Sequence, residues 1–207
     1  MGGKAKFWDR VARRYANSPI KNVAAYEATL QQVRNHLSDR DYVLEMGCGT
    51  GTTALALADS VTHVTACDLS GAMIEIALEK AQATAVSNVR FTQATVGTDD
   101  CAPASIDAVL AFNLLHLLRD PDAAAKRAHT VLRSGGVFIS KTVCLAERSW
   151  LLRLALPPMR LIGVAPYVAF LNRGDLEKIM VNAGFEIAEC MTFEDAPTSW
   201  FIVARKT

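Results

Sequence analysis

The chain has 207 residues, of which 51% are hydrophobic and 21% charged, a composition that excludes a disordered protein and fits one globular domain. Its 22 basic and 21 acidic side chains leave a net formal charge of +1, which argues against a dedicated nucleic-acid binder. The uncharged run 161–172 falls short of the ~20 apolar residues of a membrane span, and no basic-then-apolar signal opens the chain. Five scattered cysteines (48, 67, 101, 144 and 190) read as small hydrophobes of a reducing compartment, not as a disulfide frame or zinc site, so a cytoplasmic protein is expected.

In chain order, Lys6–Tyr15 is amphipathic: Trp8, Val11 and Tyr15 share one helical face and the basic residues mostly lie elsewhere. Strands are predicted over Tyr42–Met46, His63–Cys67, Val89–Gln93, Ile106–Phe112 and Val137–Val143. Helices are predicted between them at Thr52–Asp59, Ser70–Ala85 and Pro121–Leu132. Asp68 and Ser70 are placed to cap the second helix, Pro121 suits the first turn of the third, and Gly135-Gly136 ends it. Three prolines (157, 158 and 166) break 145–170 into short pieces, as an inserted lid would. A helix Arg173–Ala183 and strands Phe185–Thr192 and Ser199–Arg205 close the chain. Strands alternating with helices predict a parallel sheet covered on both faces. One domain is expected, with a helical lid at 1–40, a core at 41–143, an inserted lid at 144–172 and closing elements at 173–207.

The sharpest local signal is Val43-Leu44-Glu45-Met46-Gly47-Cys48-Gly49-Thr50-Gly51, between the first core strand and a helix. Glycines there permit a tight turn, and the helix start offers free N–H groups. The spacing is G-x-G-x-G, not the G-x-G-x-x-G of dinucleotide binders. Glu45 at the strand tip would repel a pyrophosphate but favours a ligand carrying an ammonium and a sulfonium. Asp68 closes the second strand, where an acid grips ribose hydroxyls.

With these residues the chain resembles the class I S-adenosylmethionine-dependent methyltransferases, in the branch of ubiquinone/menaquinone and small-molecule enzymes. The likeness is close over 41–143 and loose over 174–205. It implies a Rossmann-like α/β fold with a seven-stranded, mostly parallel sheet, helices on both faces and an antiparallel last strand. It implies S-adenosyl-L-methionine as cofactor, with Glu45, Gly47, Cys48, Gly49 and Gly51 around the methionine part and Asp68 on the ribose. Leu69 and Met73 would lie beside the adenine, Asn113 would flank the cofactor, and His116 would line the acceptor side. The family often has an acid after its third strand to accept from the adenine amino group; the corresponding position is Thr95, next to Val96. A backbone carbonyl, the Thr95 hydroxyl, or Asp99 and Asp100 stand as substitutes. The likeness also implies that the N-terminal helix folds over the cofactor with Tyr15 near its carboxylate; the plain alternative is a helix packed on the sheet.

Methyl transfer from a sulfonium is an in-line displacement, helped mainly by alignment and exclusion of water, and a base is optional. His116, after the fourth strand, is the candidate base, and a structural histidine in an apolar run is its alternative; His36, His63 and His129 read as structural. Lys141 and Glu147 follow near the expected mouth, and Trp150, Met159, Tyr167 and Phe170 would wall an apolar acceptor pocket. Charge is uneven, with an excess of basic residues in 1–40 and 141–173 and of acids elsewhere. Two basic lids would attract a small acceptor bearing a carboxylate or phosphate, or rest on anionic lipid while a headgroup or quinone is methylated. A nicotinamide-dependent oxidoreductase is the alternative of another class. No metal and no nucleic acid are expected.

Overall fold

The computed structural model describes residues 2–20, 22–147, 151–194 and 196–207; Trp150 and the side chain of Glu147, both named above, lie outside the described residues. Seven strands form one sheet: β1 (Tyr42–Met46), β2 (His63–Asp68), β3 (Val89–Gln93), β4 (Ile106–Phe112), β5 (Leu132–Val143), β6 (Phe185–Phe193) and β7 (Ala196–Lys206). Their order is β3-β2-β1-β4-β5-β7-β6. β7 runs antiparallel to both its neighbours, while the other pairings are parallel. This is the Rossmann-like arrangement expected. Its central strands are largely buried on both faces, hence their mostly apolar sequences.

Among the described residues seven α-helices accompany the sheet: α1 (Gly2–Ala16), α2 (Val23–Arg34), α3 (Thr52–Leu57), α4 (Gly71–Thr84), α5 (Pro121–Val131), α6 (Leu151–Leu161) and α7 (Arg173–Asn182). One face of the sheet packs on Leu30 and Val33 of α2, Ala54 and Leu57 of α3, and Ile74 and Ala77 of α4. The other packs on Ala124, Ala128 and Val131 of α5 and Leu176 and Met180 of α7. Helix starts are fixed by side-chain caps: Ser70 to the Met73 N–H, Asp120 to the Ala123 N–H ahead of Pro121, and an Asn172–Asp175 capping box.

Several boundaries depart from the sequence expectation, and β7, expected over Ser199–Arg205, already starts at Ala196. The third helix predicted to reach Leu132 stops at Val131, because Leu132 already pairs with Ile106 and β5 begins there. Gly135-Gly136 is therefore an irregularity inside β5, not a turn before it; a Cβ on Gly136 would meet the Asp107 carbonyl at 2.9 Å. The helix predicted over Thr52–Asp59 ends at Leu57 and tightens into a 3₁₀ turn, Ala58–Ser60. His36, expected on a helix, lies just beyond α2, where its Nε2 meets Glu189 at 2.9 Å.

α1 packs on α4 instead of on the sheet. Ala12 is fully buried against Met73 and Ile76, Arg13 grips both oxygens of Glu79 at 2.6 Å, and Asp9 accepts from Ser70 Oγ at 2.6 Å. Arg10 donates to the Gly163 carbonyl, fastening α1 to the segment after α6. The segment then returns along the tip of β4, where the Ala169 N–H donates to the His116 carbonyl at 2.7 Å.

Candidate active site

The carboxyl ends of β1 and β2 carry the two acids that the sequence singled out. Between β1 and α3 the chain turns through Gly47, Gly49 and Gly51, with φ of +69°, +53° and +72°, a region that side chains rarely adopt. The Gly47 and Cys48 N–H groups donate to the Cys67 carbonyl, and the Gly49 N–H donates to Asp68 Oδ2 at 3.0 Å. Asp68 Oδ1 accepts from the Ser70 N–H at 2.9 Å, so the acid holds both turns. A Cβ on Gly51 would strike the Phe91 ring and Ala77 within 2.8 Å, whereas one on Gly49 would meet nothing within 4 Å. Gly51 is therefore needed for packing, and Gly49 faces open space.

Glu45 is buried, and its Oε2 has no hydrogen-bond partner. Burial pushes its carboxyl up to about 8, against an Ala54 N–H bond that lowers it, and Asp68 adds to the rise. Burial also raises Asp68, opposed by N–H bonds from Ser70, Gly49 and Leu69. Tyr15, in α1's last turn, keeps about half of its surface in solvent (54%), and its phenol is raised by the partial burial of the rest and then by the charges of Asp68 and Glu45. An unpartnered carboxyl oxygen beside a second acid, next to an open glycine turn, is a seat for a cation and not for a diphosphate.

A methyltransferase-domain family model matches residues 43–136, the span from β1 to the irregularity in β5. A ubiquinone biosynthesis O-methyltransferase of Xylella fastidiosa is 26% identical over 205 residues, covering 88% of this chain and 83% of the relative. A probable S-adenosylmethionine-dependent methyltransferase of Mycolicibacterium smegmatis is 29% identical over 167 residues, 80% of this chain and 60% of that one. The chain is a class I S-adenosylmethionine-dependent methyltransferase. Among solved structures, a 4+2 cyclase, SpnF, matches with a TM-score of 0.81 at 18% identity, covering 98% of this chain and 94% of the cyclase. That likeness concerns the fold alone. The oxidoreductase alternative finds no support.

The methyltransferase's own residues fit S-adenosylmethionine. Orphaned Glu45 Oε2 suits a cationic group, Gly49 leaves room for close backbone approach, and Asp68 keeps lone pairs free for hydroxyls. Lys80 donates to both Thr50 and Thr52 hydroxyls at 2.9 Å and so steadies the far end of the glycine turn. Sequence reading missed Lys80, and it also missed Tyr26 of α2, whose buried hydroxyl has no well-formed hydrogen bond. Burial raises that phenol against the pull of the neighbouring Thr53 hydroxyl, and Glu45 raises it further.

The remaining candidates are placed as follows. Leu69 accepts from Gln93 Nε2 through its carbonyl, and Met73 is buried in the seam with Ala12. Thr95 and Thr98 bond each other at 3.0 Å in a self-contained turn, with Val96 half-buried between them. The acids offered as adenine partners are committed elsewhere. Asp99 is buried on the Arg127 guanidinium at 2.5 and 3.1 Å, and Asp100 faces Arg90 at 3.4 Å. Asn113 takes a left-handed conformation (φ +52°), and its N–H donates to the Lys141 carbonyl. Lys141 turns its ammonium to Thr29 Oγ1 at 2.5 Å and over the Phe193 ring, under α2. His116 is buried, its Nδ1 has no partner, and burial lowers it to about 4. A cleft of about 300 Å³ opens at the opposite edge of the sheet, among Asp41, Asp107, Arg133 and Gly135, away from the glycine turn.

Proposed function

We propose that this enzyme methylates a small organic acceptor bearing a hydroxyl or amine, held at the carboxyl ends of β4 and β5 beneath 164–172. The observation that carries this reading is His116: a neutral, buried imidazole in the 3₁₀ turn Leu115–Leu117 that follows β4, whose Nδ1 has no protein partner. Such a nitrogen accepts a hydrogen bond from an O–H or N–H and orients its lone pair toward the methyl donor. When bound, S-adenosylmethionine supplies an electrophilic methyl on a sulfonium. Glu45, Gly47, Cys48, Gly49 and Gly51 hold its methionine part, Asp68 its ribose, and Leu69, Met73, Thr95 and Val96 the adenine side. Asn113 flanks it, and Tyr15 closes over the acids. The protein aligns the two reactants and excludes water; alignment contributes up to roughly 7–11 kcal/mol of barrier lowering. The matching relative named for ubiquinone O-methylation makes phenols the first acceptors to try. A screen with methyl-labelled cofactor over phenols, amines and thiols tests the reading. Label in a small product supports it; label passing only to a macromolecule, or no transfer while cofactor binds, overturns it.

A further inference from the structure

α6 and the turn after it expose apolar side chains that a folded surface ordinarily withdraws. Between 153 and 162 every residue but Leu156 is exposed. Leu154, Leu161 and Ile162 stand 63%, 88% and 75% in solvent, and Met159 and Val164 join them. Such a contiguous patch marks an interaction surface. The charge around it has one sign. Residues 151–172 hold Arg153 and Arg160 and no acid. Arg160 and Arg119 both stack on the Tyr167 ring, at 5.2 and 5.5 Å, and Arg153 on Phe170 at 5.3 Å. Among the described residues none of these three guanidiniums meets a carboxylate within salt-bridge distance. α1, fastened here through Arg10 and Gly163, adds Lys6 and Arg14.

We infer that α6 and residues 161–164 dock on an anionic bilayer, with Leu154, Leu161 and Ile162 in the acyl boundary and Arg119, Arg153 and Arg160 on lipid phosphates. An interfacial helix combines these two features, apolar side chains and unpaired cations on one short element. Charge decides the occupant: a second copy presenting the same face would set Arg153 and Arg160 against their own counterparts. The inference does not rest on the identity of the acceptor.

The test is flotation of the full chain with vesicles of equal phosphatidylglycerol and phosphatidylcholine, against phosphatidylcholine alone. Binding to the anionic vesicles only is expected, lost at about 0.5 M salt. Leu161→Asp with Ile162→Asp lowers binding at least about tenfold, and Arg153→Gln or Arg160→Gln each lowers it roughly fivefold. In a Leu161→Trp protein, tryptophan emission shifts to the blue when anionic vesicles are added. Calorimetry with S-adenosylhomocysteine, unchanged in every variant, reads the methyl-donor site separately. No vesicle binding, binding indifferent to these substitutions, or a wild-type dimer that the double aspartate variant dissolves would each overturn the inference.

Discussion

The Gly49 N–H donates to Asp68 Oδ2 at 3.0 Å, so the acid at the tip of β2 holds in place the turn that follows β1. One carboxylate thus has two tasks: it fixes the glycine turn and, through its remaining lone pairs, offers acceptors to a ribose. Asp68→Ala should weaken S-adenosylhomocysteine binding by at least ~1–3 kcal/mol, because hydroxyls lose a charged acceptor. Asp68→Asn, which keeps one carbonyl oxygen, should lose less. Calorimetry on both variants checks this, and unchanged affinity in the alanine variant would mean that the ribose lies elsewhere.

Glu45 couples the site to pH. Its carboxyl, raised to about 8 in the folded protein, sits near 4.5 when the chain is unfolded. Between those values the folded state holds the extra proton, so stability without ligand should fall as pH rises from about 4.5 to 8, by up to roughly 1.4 kcal/mol per unit. Glu45→Gln should flatten that slope in urea titrations across the window. A cationic ligand stabilises the carboxylate, so cofactor binding near pH 7 should release a proton. Calorimetry in two buffers of different ionisation enthalpy reads that release.

Gly49 and Gly51 separate packing from binding. Gly51→Ala forces a Cβ onto the Phe91 ring and Ala77 at a left-handed φ and should cost about 2–4 kcal/mol of stability. Gly49→Ala meets no neighbour and should cost only about 1 kcal/mol of stability. Its methyl group nevertheless projects into the space in which the cofactor would lie, so affinity should drop at least about tenfold. Urea denaturation and S-adenosylhomocysteine titration on the pair check both halves. Equal losses of stability would contradict the packing argument.

His116 should remain neutral through the physiological range, since burial lowers it to about 4. Its NMR titration should therefore show no midpoint between pH 5 and 8. Because the folded imidazole refuses a proton that the unfolded one accepts, it should subtract stability as pH falls from about 6.5 toward 4. Replacement by Gln should remove that contribution. A midpoint near 6.5 would place the ring in solvent.

The glycine turn, Glu45 and Asp68 were legible in the sequence because strand, turn and helix follow one another within a few residues, and each signal is local. The sheet was legible because β-strands buried on both faces are written as short, mostly apolar runs, as Ala108–Ala111 shows and as Val43–Met46 shows but for Glu45. The start of β5 was misplaced, because the pairing of Leu132 with Ile106 is a long-range contact and glycine pairs signal turns more often than bulges.

Sequence alone thus determined the fold class, the sulfonium-binding family and the two acids. Tertiary structure decided what those residues touch. It committed Asp99 to Arg127, 28 residues away, closed α1 on α4 through Arg13 and Glu79, and set Lys80 under Thr50 and Thr52. It also left the apolar side chains of α6 exposed, in the segment that the sequence offered as an inserted lid walling an acceptor pocket. The physical reason is the same in each case. Local chemistry selects turns and strands, whereas the partner of a buried charge and the cover of an apolar face depend on which distant surfaces folding brings together.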